Sequence, residues 1–213
     1  MNCPVGSHGS VLNSLDPAVH ELYDALYQQQ NTLDAKWQEF RKLYMHSEER
    51  GQLLHRTADY FFGLLKMVLW QDVLLHTAKL IDSEATGGKA NLTVRRLPSA
   101  VSDPALSSRL ASLVQTAKSK CAVAREWRHK QLAHLDLNLS LGTAGTTLTE
   151  VDPSIIEDGL ASIRAILSEL DPTVGLGEPW VSQYGDAERL VRYLEHGVEY
   201  EEERRRSRRS RST

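Results

Sequence analysis

Cys121-Ala-Val-Ala-Arg125-Glu-Trp127-Arg128-His129-Lys130-Gln131-Leu-Ala-His134-Leu-Asp136 is the stretch on which the reading of this chain turns. It continues an apolar stripe that runs through Leu106, Leu110, Leu113, Ala117, Cys121, Ala124 and Leu135, so the spacing predicts one amphipathic helix from Asp103-Pro104 through the quoted residues. Arg128 and Gln131 interrupt that stripe near its end. Within two turns the helix thus gathers an arginine, two histidines and further nitrogen donors, a concentration of chemistry that few other parts of the chain offer.

Outward from this helix the chain repeats the same start signal. Asp16-Pro17 and Asp152-Pro153 each pair a carboxylate that can accept first-turn N–H groups with a proline that has no N–H to lose. Val19, Leu22, Leu26, Leu33, Trp37, Phe40 and Tyr44 predict a long first helix with a polar gap at Gln29 and Gln30. Ser47 with Glu48 and Glu49 opens a second, whose wide stripe from Leu54 to Ile81 suits a central helix ended by Thr86-Gly87-Gly88. Asn91–Leu97 reads as a short capped turn stopped by Pro98. Ile156, Leu160, Ile163, Leu167 and Leu170 mark a fourth long helix, and Ala187, Leu190, Val191, Leu194 and Val198 a last one. Residues 138–150 read as a loop, with Thr146–Val151 as an alternative short strand.

Five helices with short connections predict an all-α fold, an antiparallel helical bundle. Its expected limits are a flexible arm over residues 1–15, a helical domain over 16–203 and an Arg/Ser-rich tail over 204–213. A net charge of -3 and a pI near 6.2 exclude a surface that coats nucleic acid everywhere, so any RNA site is a local patch. Cys3 and Cys121 give neither a disulfide framework nor a paired zinc motif. The N-terminus lacks the regions of a signal peptide and there is no long apolar run, so a cytoplasmic protein with no membrane partner is expected. No metal and no cofactor are expected either: there is no HExxH pair, and His129 and His134 diverge by about 140° on a regular helix. Gly87-Gly88 has no following Gly-Lys-Ser/Thr.

Between 118 and 130 stand five basic residues, Lys118, Lys120, Arg125, Arg128 and Lys130, against one acid, Glu126. That field suits a phosphodiester, with Lys120, Arg125 and Lys130 as RNA contacts and Trp127 as a surface on which a base can stack, although such a tryptophan is more often a core residue. Basic residues in the last turns of a helix also favour its dipole without any function. On a regular helix Arg128 and His134 lie roughly 9 Å apart along the axis and about 120° apart around it, so a long arginine swings toward the histidine or two copies of the helix complete one site. Asp82 falls near a helix C-terminus, where a carboxylate is unfavourable unless paired: either Arg128, Arg125 or Lys130 pairs with it, or Asp82 only caps the loop that follows.

An arginine and a histidine separated by five residues, with a polar residue after the arginine, resembles the signature of the HEPN superfamily of RNA-cleaving helical bundles. The wording Trp127-Arg-His-Lys-Gln-Leu-Ala-His134, with Lys79-Leu-Ile-Asp82 and Asn91-Leu-Thr-Val94, resembles its AbiU-type abortive-infection branch. The resemblance spans about residues 20–200 and is specific over 124–136. It implies a helical bundle and a metal-independent endoribonuclease of a phage-defence or toxin type, a homodimer with RNA as substrate and an antitoxin or other defence protein as partner. It further implies Arg128 and His134 as catalytic residues, supported by His129, Gln131, Asp82 and Asp136. Two positions depart from the pattern: His129 stands where Asn or Asp is usual, and Asp136 stands where toxins regulated by nucleotidyltransferases carry a tyrosine. The alternative reading is a non-catalytic dimeric scaffold that binds RNA, a nucleotide or a partner protein. Light scattering at micromolar concentration is expected to give at least twice the monomer mass.

Overall fold

Three of the four Asp-Pro pairs cap a helix N-terminus as their chemistry dictates, and the fourth, Asp171-Pro172, follows the end of a helix. Asp16 Oδ1 accepts from the Ala18 N–H at 2.8 Å, Asp103 Oδ1 from Ala105 at 2.9 Å and Asp152 Oδ1 from Ser154 at 2.8 Å. The hydrogen bonds from Ser154 also hold the Asp152 carboxyl below its usual range. The computed structural model describes residues 15–132, 151–172 and 186–211. They form an all-α helical fold: α1 (Pro17–Tyr44), α2 (Glu48–Leu80), a two-residue hairpin of β1 (Ala85–Thr86) and β2 (Lys89–Ala90), a 3₁₀ turn (Val94–Arg96), α3 (Leu97–Ala100), α4 (Pro104–Lys120), α5 (Ala122–Trp127), a π turn (Arg128–Leu132), α6 (Pro153–Leu170) and α7 (Asp186–Ser210). No described helix is long and apolar enough to cross a membrane.

The chain divides into two compact units, Met1–Leu33 with Leu74–Pro179, and Asp34–Val73 with Trp180–Thr213. In the first, α6 buries Ile156, Leu160, Ile163, Ile166, Leu167 and Leu170 and packs mainly on α4, which buries Leu106, Leu110, Val114 and Ala117. Leu26, Leu74, Ala78 and Ile81 complete this core from α1 and the end of α2. Gly159 is a site of close approach: a Cβ there would stand 3.3 Å from Cys121 Sγ and 3.7 Å from Thr77 Cγ2. In the second unit Trp37, Phe40 and Trp70 form an aromatic cluster with ring centroids 5.3–6.1 Å apart, and Leu43, Ala187 and Val191 pack beside Tyr44, Leu53 and Leu69. Arg50 grips Glu188 through two bonds of 2.8 and 2.9 Å and lowers its pKa, while Glu39 Oε2 accepts from the Ala187 N–H at 2.8 Å.

Several local expectations change. The helix predicted from 104 through the motif is broken at Cys121 (φ -92°, ψ 10°), and its continuation widens into the π turn. α2 ends at Leu80 rather than at the glycine pair; Gly87 and Gly88 adopt φ of 58° and 78° and turn the hairpin, conformations open to glycine at little cost. Pro98 does not stop a helix but sits in the first turn of α3, where its missing N–H is harmless. α2 is not central along its whole length: Ala58 interrupts it with extended backbone, and Tyr60, Phe61, Leu64, Met67 and Val68 are exposed. Helix α7 runs on through the arginines to Ser210. The 138–150 loop falls outside the described residues, as does all but Val151 of the proposed strand.

Gly159→Leu forces side-chain volume onto Cys121 and Thr77 and is expected to cost about 1–3 kcal/mol, whereas in Gly159→Ala the helix gain of about 1 kcal/mol offsets the squeeze. Thermal unfolding of the two variants checks this ordering.

Candidate functional site

The C-terminal end of α2 leaves carbonyls without helical partners, and Thr93 supplies one donor to two of the groups there. Its fully buried Oγ1 lies 2.9 Å from Leu80 O and 3.0 Å from Asp82 O. Two residues earlier, Asn91 Nδ2 donates to Ser83 O and Thr86 Oγ1, each at 2.8 Å, and the Asn91 N–H donates to Glu84 O at 2.9 Å. Arg96 ties the same loop through its Nε to Asn91 O at 2.7 Å and its Nη2 to Glu84 O at 2.6 Å. The segments Lys79–Asp82 and Asn91–Val94, apart in sequence, therefore meet around one helix end. The Asp82 backbone is held there through its carbonyl.

The Asp82 carboxylate forms an ion pair with Arg128 Nη1, both side chains about one-sixth exposed at 15% and 16%. Of the three cations proposed for Asp82, Arg128 is the one in contact. The pair offsets the unfavourable position of a carboxylate beside helix carbonyls, and the Arg128 side chain still reaches solvent. Arg128 is also the first residue of the π turn, where i→i+5 hydrogen bonds replace the α pattern. Regular-helix spacing does not hold from Arg128 through Leu132. π turns recur at functional sites because they re-aim side chains.

Beside the pair opens a cavity of about 470 Å³ whose lining includes Gln29, His76, Lys79, Asn91, Leu75 and Leu92. His76 is buried, with Nε2 3.1 Å from Gln29 Oε1, while Lys79 is exposed. The motif alone does not single out His76, Lys79 or Gln29. The available signal was the spacing His76-x2-Lys79-x2-Asp82, three polar groups a helical turn apart at the end of an apolar helix.

The other motif residues are distributed differently. Lys120 Nζ binds Asp158 at 2.7 Å and Lys130 Nζ binds Glu126 at 2.9 Å, so with Arg128 on Asp82 three of the five cations are paired with a carboxylate. Arg125 and Trp127 are half-buried, and the Arg125 Nε has no hydrogen-bond acceptor among the described residues; His129 is exposed. His134 and Asp136 lie outside the described residues, as does the Gln131 side chain. Among the described residues no three His, Cys, Asp or Glu side chains converge as metal ligands. Cys121 is buried, and burial pushes its thiol up to about 11.

The profile of the HEPN AbiU2 family, described as AbiU2, matches residues 16–205, which is most of the chain. No curated protein and no solved structure matches it.

Thr93→Val keeps the shape but removes the donor shared by Leu80 and Asp82, and should cost about 1–3 kcal/mol. Chemical denaturation with the midpoint as readout checks that figure.

Proposed function

As the chain belongs to the AbiU2 family of HEPN abortive-infection proteins, we propose that it is a metal-independent endoribonuclease of a phage-defence or toxin type. The observation that carries the reading is Arg128, held by Asp82 at the edge of an open cavity that Lys79, His76 and Asn91 also line. Arginine stays charged and grips phosphate oxygens with a planar fork, and histidine titrates near working pH.

In the mechanism His134 takes the proton of an RNA 2′-hydroxyl, whose oxygen attacks the adjacent phosphorus. The bond from phosphorus to the 5′ oxygen breaks, and that oxygen takes up a proton. Arg128 neutralises the charge that grows on the equatorial oxygens. His129, Gln131 and Asp136 act as supporting neighbours, and Asp82 restricts the guanidinium. Arg125 and Trp127 extend the RNA contact. A homodimer, with the motif helices of two copies side by side, supplies Arg128 and His134 from either chain, and an antitoxin or other defence protein would act by covering that surface.

The second reading, a scaffold that binds without turnover, is favoured by the pairing of Lys120 with Asp158 and of Lys130 with Glu126, which weakens the field available to a phosphodiester.

Purified protein incubated with mixed RNA in EDTA is expected to give fragments ending in 2′,3′-cyclic phosphate. His134→Ala and Arg128→Ala should each slow cleavage by roughly two to four orders of magnitude. Intact RNA that nevertheless binds supports the scaffold; cleavage that persists in His134→Ala, or that requires a divalent ion, refutes the mechanism.

A further inference from the structure

We propose that the cavity beside Arg128 is a nucleobase pocket, taking the base of a nucleotide whose phosphate lies on Arg128 and Lys79; this rests on the ribonuclease reading above. The cavity measures about 470 Å³, within the range of roughly 300–1,000 Å³ common for small-molecule sites. Its walls divide by chemistry. Leu75 and Leu92 offer apolar surface for the face of a ring, and Leu92 is 40% exposed, so that surface is open to an incoming group. Polar groups stand at separate points around it. The two amide hydrogens of Asn91 are committed to Ser83 and Thr86, which among the described residues leaves its Oδ1 to accept. Gln29 Oε1 is engaged with His76 Nε2, which among the described residues leaves the Gln29 amide hydrogens to donate. An acceptor and a donor beside an apolar wall suit the edge of a base, and unpaired RNA bases are recognised by this combination of stacking and edge contacts. Arg128 and Lys79 line the same cavity and supply the positive charge that a nucleotide phosphate needs. Lys79 lies in the last turn of α2, where a cation is favoured.

The test is calorimetry on the full chain with the four 3′-mononucleotides, and with inorganic phosphate and ribose 5-phosphate as ligands lacking a base. At least one nucleotide should bind roughly tenfold or more tightly than inorganic phosphate or ribose 5-phosphate, the scale of one base contact. Leu92→Trp, a filling substitution at an exposed position, should remove that excess while phosphate binding persists, and Arg128→Ala should weaken nucleotide and phosphate alike. Equal affinity for nucleotides and for the ligands without a base, or a nucleotide excess unchanged in Leu92→Trp, overturns the pocket. RNA cleavage in EDTA by the same preparations separates the two claims: cleavage without any nucleotide excess retains the ribonuclease and removes the pocket, whereas a nucleotide excess lost in Leu92→Trp but without cleavage retains the pocket and removes the ribonuclease.

Discussion

A carboxylate placed beside the last carbonyls of a helix meets their partial negative charge, and at Asp82 that repulsion is answered by a single guanidinium, Arg128. The position of the carboxylate is not optional. It follows from Thr93 holding the Leu80 and Asp82 carbonyls and from Asn91 holding the loop that follows. With the carboxylate fixed, the side chain of the residue opening the π turn is fixed as well. The chemistry around the cavity is thus built from backbone satisfaction outward, and a part-buried pair of this kind owes its worth to placement more than to net stability.

The same logic accounts for two short stretches that carry the family resemblance, Lys79–Asp82 and Asn91–Val94. They are the two halves of one clasp. Its hairpin needs two consecutive residues of positive φ, which Gly87 and Gly88 provide, and this brings Asn91 back alongside Ser83 and Thr86.

Much of this was legible in the sequence. The Asp-Pro signals located the starts of three helices, because capping by a carboxylate is decided within a few residues. Helix electrostatics also offered a cation for Asp82, beside the alternative that it only caps the loop that follows. What escaped was set by tertiary packing: the break at Cys121 lies where Gly159 lets α6 approach, and no periodicity in α4 announces that contact. The π turn escaped for a related reason, since 3.6-residue spacing was assumed through Arg128–Leu132. The positive patch counted along the chain was too large because Asp158 comes from another helix. The exposed apolar residues between Tyr60 and Val68 look in sequence like any buried stripe.

The Cys121 thiol occupies the joint between α4 and α5, buried, with its ionisation pushed up to about 11 chiefly by that burial. A thiol in that setting stays protonated at neutral pH and is shielded from electrophiles as long as the joint is closed. Its alkylation therefore becomes a clock for opening of the helix that leads into the π turn, read at one atom that belongs to the native chain. Any ligand that tightens the joint would slow that clock without touching the sulfur, because exchange-limited labelling follows the population of the open form.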